Sequence, residues 1–324
     1  MILIIKSVSR IATIAVLLAV LLASCTSMAD PNEGLQVVAT TSIVGDIAEH
    51  VVGNDGSVEV LMPIGVDAHD FQPSAQQVAR LAEADLVVAN GLGLEQGLIH
   101  AIEGVEADGT PVIELAPLVD PIPFIEPHGH EDEEHEEEPV STEGAEHEHG
   151  TEDPHFWMDP LRVGAAANAL AESLIDIDDG GWEERAGEYQ AEMAATDDEI
   201  ASLLDSIPAE SREIVTNHEA FGYFADRYDF EILGVVIPGG STLAEPSSAE
   251  LAELVETMEH EGVRVIFAET TQPSRLAEAV AAELGEGVEV VELYTESLGG
   301  PDSGAETLAG MLLTNASRIA EALS

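Results

Sequence analysis

Basic residues are scarce in this sequence, which has 10 Lys or Arg against 64 Asp or Glu in 324 residues and a formal net charge of −54. A surface this acidic repels phosphate backbones, which argues against DNA or RNA as a partner. It also repels itself, and roughly 1 M salt screens that repulsion to about 3 Å. We therefore expect a halophilic protein. An acidic lineage living at ordinary salt is the alternative reading.

Cysteine is almost absent, since Cys25 is the only one. A single cysteine excludes an internal disulfide and a multi-thiolate metal site. Any metal site in this chain must therefore be built from His, Asp or Glu.

The N-terminus has the pattern of a secretory signal. Lys6 and Arg10 precede an apolar run, Ile11–Leu22, that is too short to span a bilayer comfortably. The following residues, Leu22–Cys25, resemble a bacterial lipobox. We predict a signal peptide over 1–24, lipidation of Cys25, a tether over 25–34 and extracytoplasmic localisation on a lipid anchor. The alternative is a plain signal peptide with an incidental cysteine.

From Leu35 onward, short β-rich runs alternate with helical patterns, which favours parallel sheets built from βαβ units. One α/β lobe is predicted over 35–180 and a second over 209–324. Between them, residues 181–208 carry an unusually long helical pattern. At 1.5 Å per residue this helix would extend roughly 35–40 Å and could brace both lobes.

Residues 118–152 interrupt the first lobe with a charged, low-complexity loop that cannot bury a core. It contains five histidines: His128, His130, His135, His147 and His149. Short histidine tracts bind metals weakly, so a metal-collecting role is favoured. A solvated acidic tether that happens to carry histidines is the alternative.

Three further histidines and one carboxylate lie just past predicted strands or in irregular segments: His69, His155, His218 and Glu296. In open α/β sheets the ligand crevice lies at the carboxyl ends of the strands. Glu269 also follows a strand, where it could support the site or interact with a helix N-terminus. By contrast, His50, His100 and His260 fall on helical patterns and are expected at the surface.

The segments that carry these residues are Met62–Pro73, Asp153–Pro160, Thr216–Phe224 and Leu293–Gly299, accompanied by Val38–Ile47 and Ala84–Glu95. Together, and in this order, they resemble the zinc and manganese receptors (solute-binding proteins) of metal ABC importers. The similarity runs from about residue 36 to residue 323.

This resemblance implies an α/β fold of two lobes, each with a mostly parallel sheet flanked by helices. One long rigid helix would join the lobes, and one metal would bind in the cleft between them. His69 and His155 match the ligands of the first lobe, and His218 matches that of the second. Glu296 matches a carboxylate position that is usually Asp, so Glu296 or a water molecule would complete the shell. The implied cargo is Zn²⁺, and the implied partner is an ABC transporter permease. We expect a monomer attached to the membrane through its lipid anchor.

Three other functions are alternatives to a zinc receptor. A zinc hydrolase would require His-Glu-x-x-His on a helix, but His218-Glu219 is not followed by the second histidine. A manganese or iron receptor of the same family would favour an oxygen-richer shell than three imidazoles supply. An adhesin or metal buffer without a transport role also remained open.

Overall fold

The computed structural model describes residues 34–125, 151–175 and 180–324. Contacts divide the chain into residues 1–34 and residues 35–324. The signal peptide, Cys25 and the five loop histidines therefore lie outside the described residues, as does nearly all of the tether. No helix among the residues described is both long and apolar enough to cross a membrane.

Two four-stranded parallel sheets form the framework, as the alternating sequence pattern predicts. The first has the order β2-β1-β3-β4. Its strands are Leu35–Ala39 (β1), Gly56–Val60 (β2), Leu86–Ala89 (β3) and Val112–Glu114 (β4). The second has the order β6-β5-β7-β8. Its strands are Glu213–Thr216 (β5), Glu231–Val235 (β6), Val265–Glu269 (β7) and Glu289–Leu293 (β8).

Helices flank both sheets. The first lobe carries Ser42–Val52 (α1), Ala75–Glu83 (α2), Ile99–Ala107 (α3) and Pro160–Leu174 (α4). A long helix, Trp182–Leu204 (α5), follows. The second lobe carries Gly222–Tyr228 (α6), Ser248–Glu261 (α7), Arg275–Leu284 (α8) and Leu308–Leu323 (α9).

Helix α5 is the predicted connecting helix, about 34 Å long at 1.5 Å per residue. It packs against α1 and α4 of the first lobe and α9 of the second. The buried residues of these helices belong to one apolar cluster that continues from the first sheet into the second lobe. Because the packing is continuous, the connection is a braced interface and not a flexible hinge.

Charged contacts reinforce this brace. Arg227 of α6 donates from Nε to Asp197 of α5 at 2.8 Å, and the Tyr228 hydroxyl donates to the same carboxylate at 2.9 Å. Burial raises the pKa of Asp197, but the Arg227 and Tyr228 contacts outweigh it and lower the pKa below its usual value. Arg227 also lies 3.8 Å from Asp159, which caps α4. The three helices are therefore tied together at one point.

Two helices begin later than their sequence patterns predict. The sequence pattern predicts a helix around residues 95–102, but α3 begins at Ile99 because the Glu95 carboxylate turns back and accepts the backbone N–H groups of Asn90 and Gly91 at 2.7 and 3.2 Å. The pattern over residues 219–228 also predicts a helix, but α6 begins at Gly222. Residues 219–221 therefore lie outside α6 and belong to the turn that carries His218.

Candidate metal centre

The predicted ligands converge from four separate segments. His69 lies in the loop between β2 and α2, and His155 immediately precedes the 3-10 turn Phe156–Met158 that leads into α4. His218 lies two residues beyond β5, and Glu296 lies three residues beyond β8. Two come from each lobe, so the cluster lies between the lobes.

The four side chains present their ligand atoms within 4.8 Å of one another. Glu296 Oε1 lies 3.3 Å from His155 Nε2 and 3.5 Å from His218 Nε2. The two Nε2 atoms are 3.3 Å apart, and His69 Nε2 lies 3.8 Å from Glu296 Oε2. A tetrahedral cation with bonds of 2.0–2.1 Å spaces its ligands about 3.3–3.4 Å apart. The distances among His155, His218 and Glu296 fit a small four-coordinate ion, and the 3.8 Å between His69 and Glu296 is longer than this spacing.

Two of the three histidines have their rings held by carboxylates. Asp153 Oδ1 lies 2.6 Å from His155 Nδ1, and Glu269 Oε1 contacts His218 Nδ1. When Nδ1 carries the proton and donates it to a carboxylate, the Nε2 lone pair is left for a cation. Both Nε2 atoms face the cluster.

His69 is supported differently. Its backbone N–H donates to Asp67 Oδ1 at 2.7 Å, which shapes the turn. Its imidazole is 1% exposed, and neither ring nitrogen has a hydrogen-bond partner among the described residues. A buried unpaired polar group costs about 1–3 kcal/mol, so an imidazole held this way fits a metal ligand better than a packing residue.

Both Glu296 oxygens also lack hydrogen bonds among the described residues, although the side chain is 2% exposed. Unpaired nitrogen and carboxylate oxygen atoms thus converge in a closed space. This donor set matches the ligands of divalent transition metals.

The surroundings of the three histidines shift their pKa values in different directions. Burial lowers the pKa of His69 to about 4, against the attraction of Glu296. Burial also disfavours charge on His155, but Asp153 and Glu296 outweigh it and raise the pKa to about 9. For His218, Glu269 and Glu296 likewise overcome burial and raise the pKa well above its usual value. Burial raises the pKa of Glu296, but His155 and His218 outweigh it and hold the pKa well below its usual range.

Hydrogen bonds cross between the lobes beside the cluster. Ser297, which follows Glu296, accepts the Gly65 N–H at 2.8 Å and lies 3.2 Å from Ser42 Oγ. Trp157 donates from Nε1 to the Thr295 carbonyl at 2.9 Å. Further bonds link Gln272 to Asp67 at 2.5 Å and Gln96 to Ser241 at 3.0 Å. The cleft is therefore closed by polar contacts next to three of the four candidate ligands.

Of the histidines expected at the surface, His100 and His260 are exposed. The prediction is wrong for His50, which is half-buried and stacks on Tyr189 of α5 at 4.1 Å between ring centroids. Its Nδ1 lies 2.7 Å from the Asp46 carbonyl. His50 therefore packs at the junction of α1 and α5, a contact that helical periodicity does not reveal.

Two supporting residues emerge more clearly from the structure than from the sequence. Glu269 contacts the cluster through His218, which decides between the two roles left open for it. Asp153 had no assigned role, although its position two residues before His155 is a usable signal, because short Asp side chains often bond the backbone two residues on.

Two braced α/β lobes enclosing a buried cluster of three histidines and one carboxylate define a ligand-binding receptor of the metal-binding type. The family model for the periplasmic component A of the zinc-uptake complex, ZnuA, matches residues 37–322, and the chain belongs to this family. The predicted resemblance to receptors of metal ABC importers is thus confirmed.

Known relatives agree in length and fold. The chain is 27% identical to the manganese-binding lipoprotein MntA of Halalkalibacterium halodurans over 96% of this chain and 97% of that protein. It is 29% identical to the zinc-binding protein TroA of Treponema pallidum over 89% of this chain and 88% of that protein. The solved structure of TroA matches with a TM-score of 0.76 and 28% identity, covering 90% of this chain and 99% of TroA. The names of these relatives divide between zinc and manganese.

Proposed function

We propose that this protein binds one Zn²⁺ ion through His69, His155, His218 and Glu296 and delivers it to the permease of an ABC importer. The carrying observation is the convergence of three buried imidazoles on one buried carboxylate at the spacing of a four-coordinate ion. Mn²⁺ prefers more oxygen ligands, so the nitrogen-rich shell favours zinc.

Competition between the two metals tests this proposal. Protein purified without a histidine tag should bind one Zn²⁺ tightly, and an excess of Mn²⁺ should not displace it. Chelator-competition titration followed by metal analysis gives both constants. Preferential retention of Mn²⁺ would instead assign the chain to the manganese receptors, the function named for MntA.

The geometry supports a receptor over the hydrolase alternative. Four protein groups surround the proposed ion, whereas a catalytic zinc keeps a position open for water or substrate. Glu219, the residue beside His218 that could act as a base, accepts the Gly239 N–H at 3.2 Å. It is thus engaged with the second lobe.

Zinc binding should release protons at neutral pH. Without a bound cation, Asp153 and Glu296 outweigh burial and raise the pKa of His155 to about 9, so this ring is protonated at pH 7, while His69, with a pKa of about 4, is neutral. The pKa of His218 is raised in the same direction by Glu269 and Glu296. Metal must displace protons from the ligating nitrogens, so binding at pH 7 should release at least one proton per ion. Affinity should fall as pH falls and level off only above about pH 9, where His155 is already neutral.

Calorimetric titration in buffers of different ionisation enthalpy measures this release. A proton count near zero at pH 7 would contradict the charge assignment. It would place the pH dependence nearer 6.5, the ordinary histidine value.

We also propose that the acidic loop collects metal, through His128, His130, His135, His147 and His149. Deleting residues 128–149 should leave the single tight site intact and remove weaker zinc equivalents, because a segment of this charged, low-complexity composition is expected to lose conformational freedom when it wraps an ion. Equilibrium dialysis against zinc compares the two stoichiometries. Equal stoichiometry with and without the loop would leave it the role of a tether.

We further propose that lipid on Cys25 anchors the protein to the extracytoplasmic face of the membrane and that the receptor acts as a monomer. The N-terminal pattern supports the anchor, and several relatives, among them MntA of Halalkalibacterium halodurans, are named lipoproteins. Mass spectrometry of membrane-extracted protein would detect acyl chains on Cys25, and their absence would favour a plain signal peptide.

A further inference from the structure

We propose that Glu269 is a positioning residue that locks His218 as an Nε2 donor and thereby favours zinc over manganese in the cleft. This inference rests on the proposed function, since it concerns the metal preference of the same site. It assigns a role to a residue that does not itself reach the ion.

Strand pairing brings the two residues together. In the second sheet, Thr216 at the end of β5 is in register with Phe267 of β7. Advancing two residues along each chain from that pair gives His218 and Glu269. The acceptor is therefore built into the neighbouring strand, and the imidazole is held by the sheet and not by a mobile loop.

The Glu269 carboxylate is used mainly for its contact with His218. Its side chain is 2% exposed, and Oε1 contacts His218 Nδ1. The other oxygen, Oε2, has no hydrogen-bond partner among the described residues. The charge of this carboxylate is thus directed at a single imidazole, which it orients and makes a stronger electron donor.

Asp153 makes the corresponding contact to the His155 ring, but it also bonds the backbone of the turn that carries His155. Its Oδ1 accepts both the His155 backbone N–H, at 2.9 Å, and the ring Nδ1, at 2.6 Å. Replacing Asp153 would therefore disturb the turn as well as the ring. Glu269 is the cleaner position for an experiment.

A stronger imidazole donor does not benefit all cations equally. Zinc gains more from nitrogen donors than manganese, which favours carboxylate, carbonyl and water oxygens. Loss of the Glu269 contact should therefore weaken zinc binding more than manganese binding. The ratio of the two affinities is the property that this residue controls.

The test compares Glu269→Ala and Glu269→Gln with Glu283→Gln, which removes an exposed carboxylate from α8. Partners of a ligating histidine typically contribute about 10–100-fold in metal affinity. We expect Glu269→Ala to lose zinc affinity within this range and to lose less for manganese. Glu269→Gln, which keeps the size and an acceptor oxygen, should recover part of the loss, and Glu283→Gln should match the wild type.

Long-range ¹H–¹⁵N NMR of the zinc-loaded protein supplies a readout that packing alone does not move. In the wild type, His218 should bind through Nε2 and carry its proton on Nδ1, and this signature should weaken in Glu269→Ala. Unchanged zinc affinity in Glu269→Ala would overturn the proposal. So would equal losses for the two metals accompanied by a lower melting temperature without metal, since that pattern describes a folding defect. A wild-type protein that fails to bind zinc would instead contradict the proposed function itself.

Discussion

Replacing His218 with alanine is expected to lower zinc affinity by at least about 100-fold, the upper end of what a residue that only supports a ligand contributes. The ring lies 3.3 Å from His155 Nε2 and 3.5 Å from Glu296 Oε1, so its loss removes a donor from the centre of the cluster. It also leaves Glu269 buried without the imidazole it contacts. His69→Ala and His155→Ala should likewise weaken binding greatly, and chelator competition measures all three.

His100→Ala is the matched control, because this histidine is exposed on α3 and its Nδ1 lies 3.3 Å from the exposed Glu103 carboxylate of the same helix. It should bind zinc as the wild type does. Wild-type affinity in His218→Ala would remove this residue from the site and with it the zinc assignment. Equal melting temperatures of the two variants without metal would show that the loss is one of binding and not of folding.

The sequence supports the architecture well, because most strands and helices carry strong local signals. Helix α5 is an example, since the helical pattern over residues 181–208 predicts it and the structure has Trp182–Leu204. The late starts of α3 and α6 could not be predicted. They depend on Glu95 reaching back to the end of β3 and on the turn that carries His218 into the cleft.

The sequence motifs identify the four candidate ligands. They do not identify the residues that hold those ligands in position. Glu269 left two roles open because its partner depends on the register between β5 and β7, which no local pattern encodes. His50 was misassigned for a similar reason. Its stacking partner, Tyr189, is 139 residues away on α5. Helical periodicity predicts which face of a helix a residue lies on, but not which other element packs against that face.

Zinc should strongly stabilise the whole fold while barely changing its dimensions. A cation bound only by the native state raises the free energy of unfolding by RT ln(1 + [L]/Kd), about 4 kcal/mol at a thousandfold excess over Kd. For a chain of this size that corresponds to a rise in melting temperature of roughly 7 °C. His69 and His155 come from one lobe, and His218 and Glu296 come from the other. Both lobes should therefore unfold at a higher temperature and in a single transition.

The small change in dimensions follows from the brace. Helix α5 packs on helices of both lobes, and the Gly65–Ser297 and Trp157–Thr295 hydrogen bonds already cross the cleft. Hinge closure needs a few residues that absorb large backbone rotations, and a helix within a continuous apolar core is a poor place for them. Solution scattering should therefore give nearly equal radii of gyration with and without zinc, and calorimetry should give the rise in melting temperature. In His218→Ala the same zinc excess should raise the melting temperature much less. Melting that ignores zinc in the wild type would contradict a site shared by both lobes, and a large contraction on binding would contradict the rigid brace.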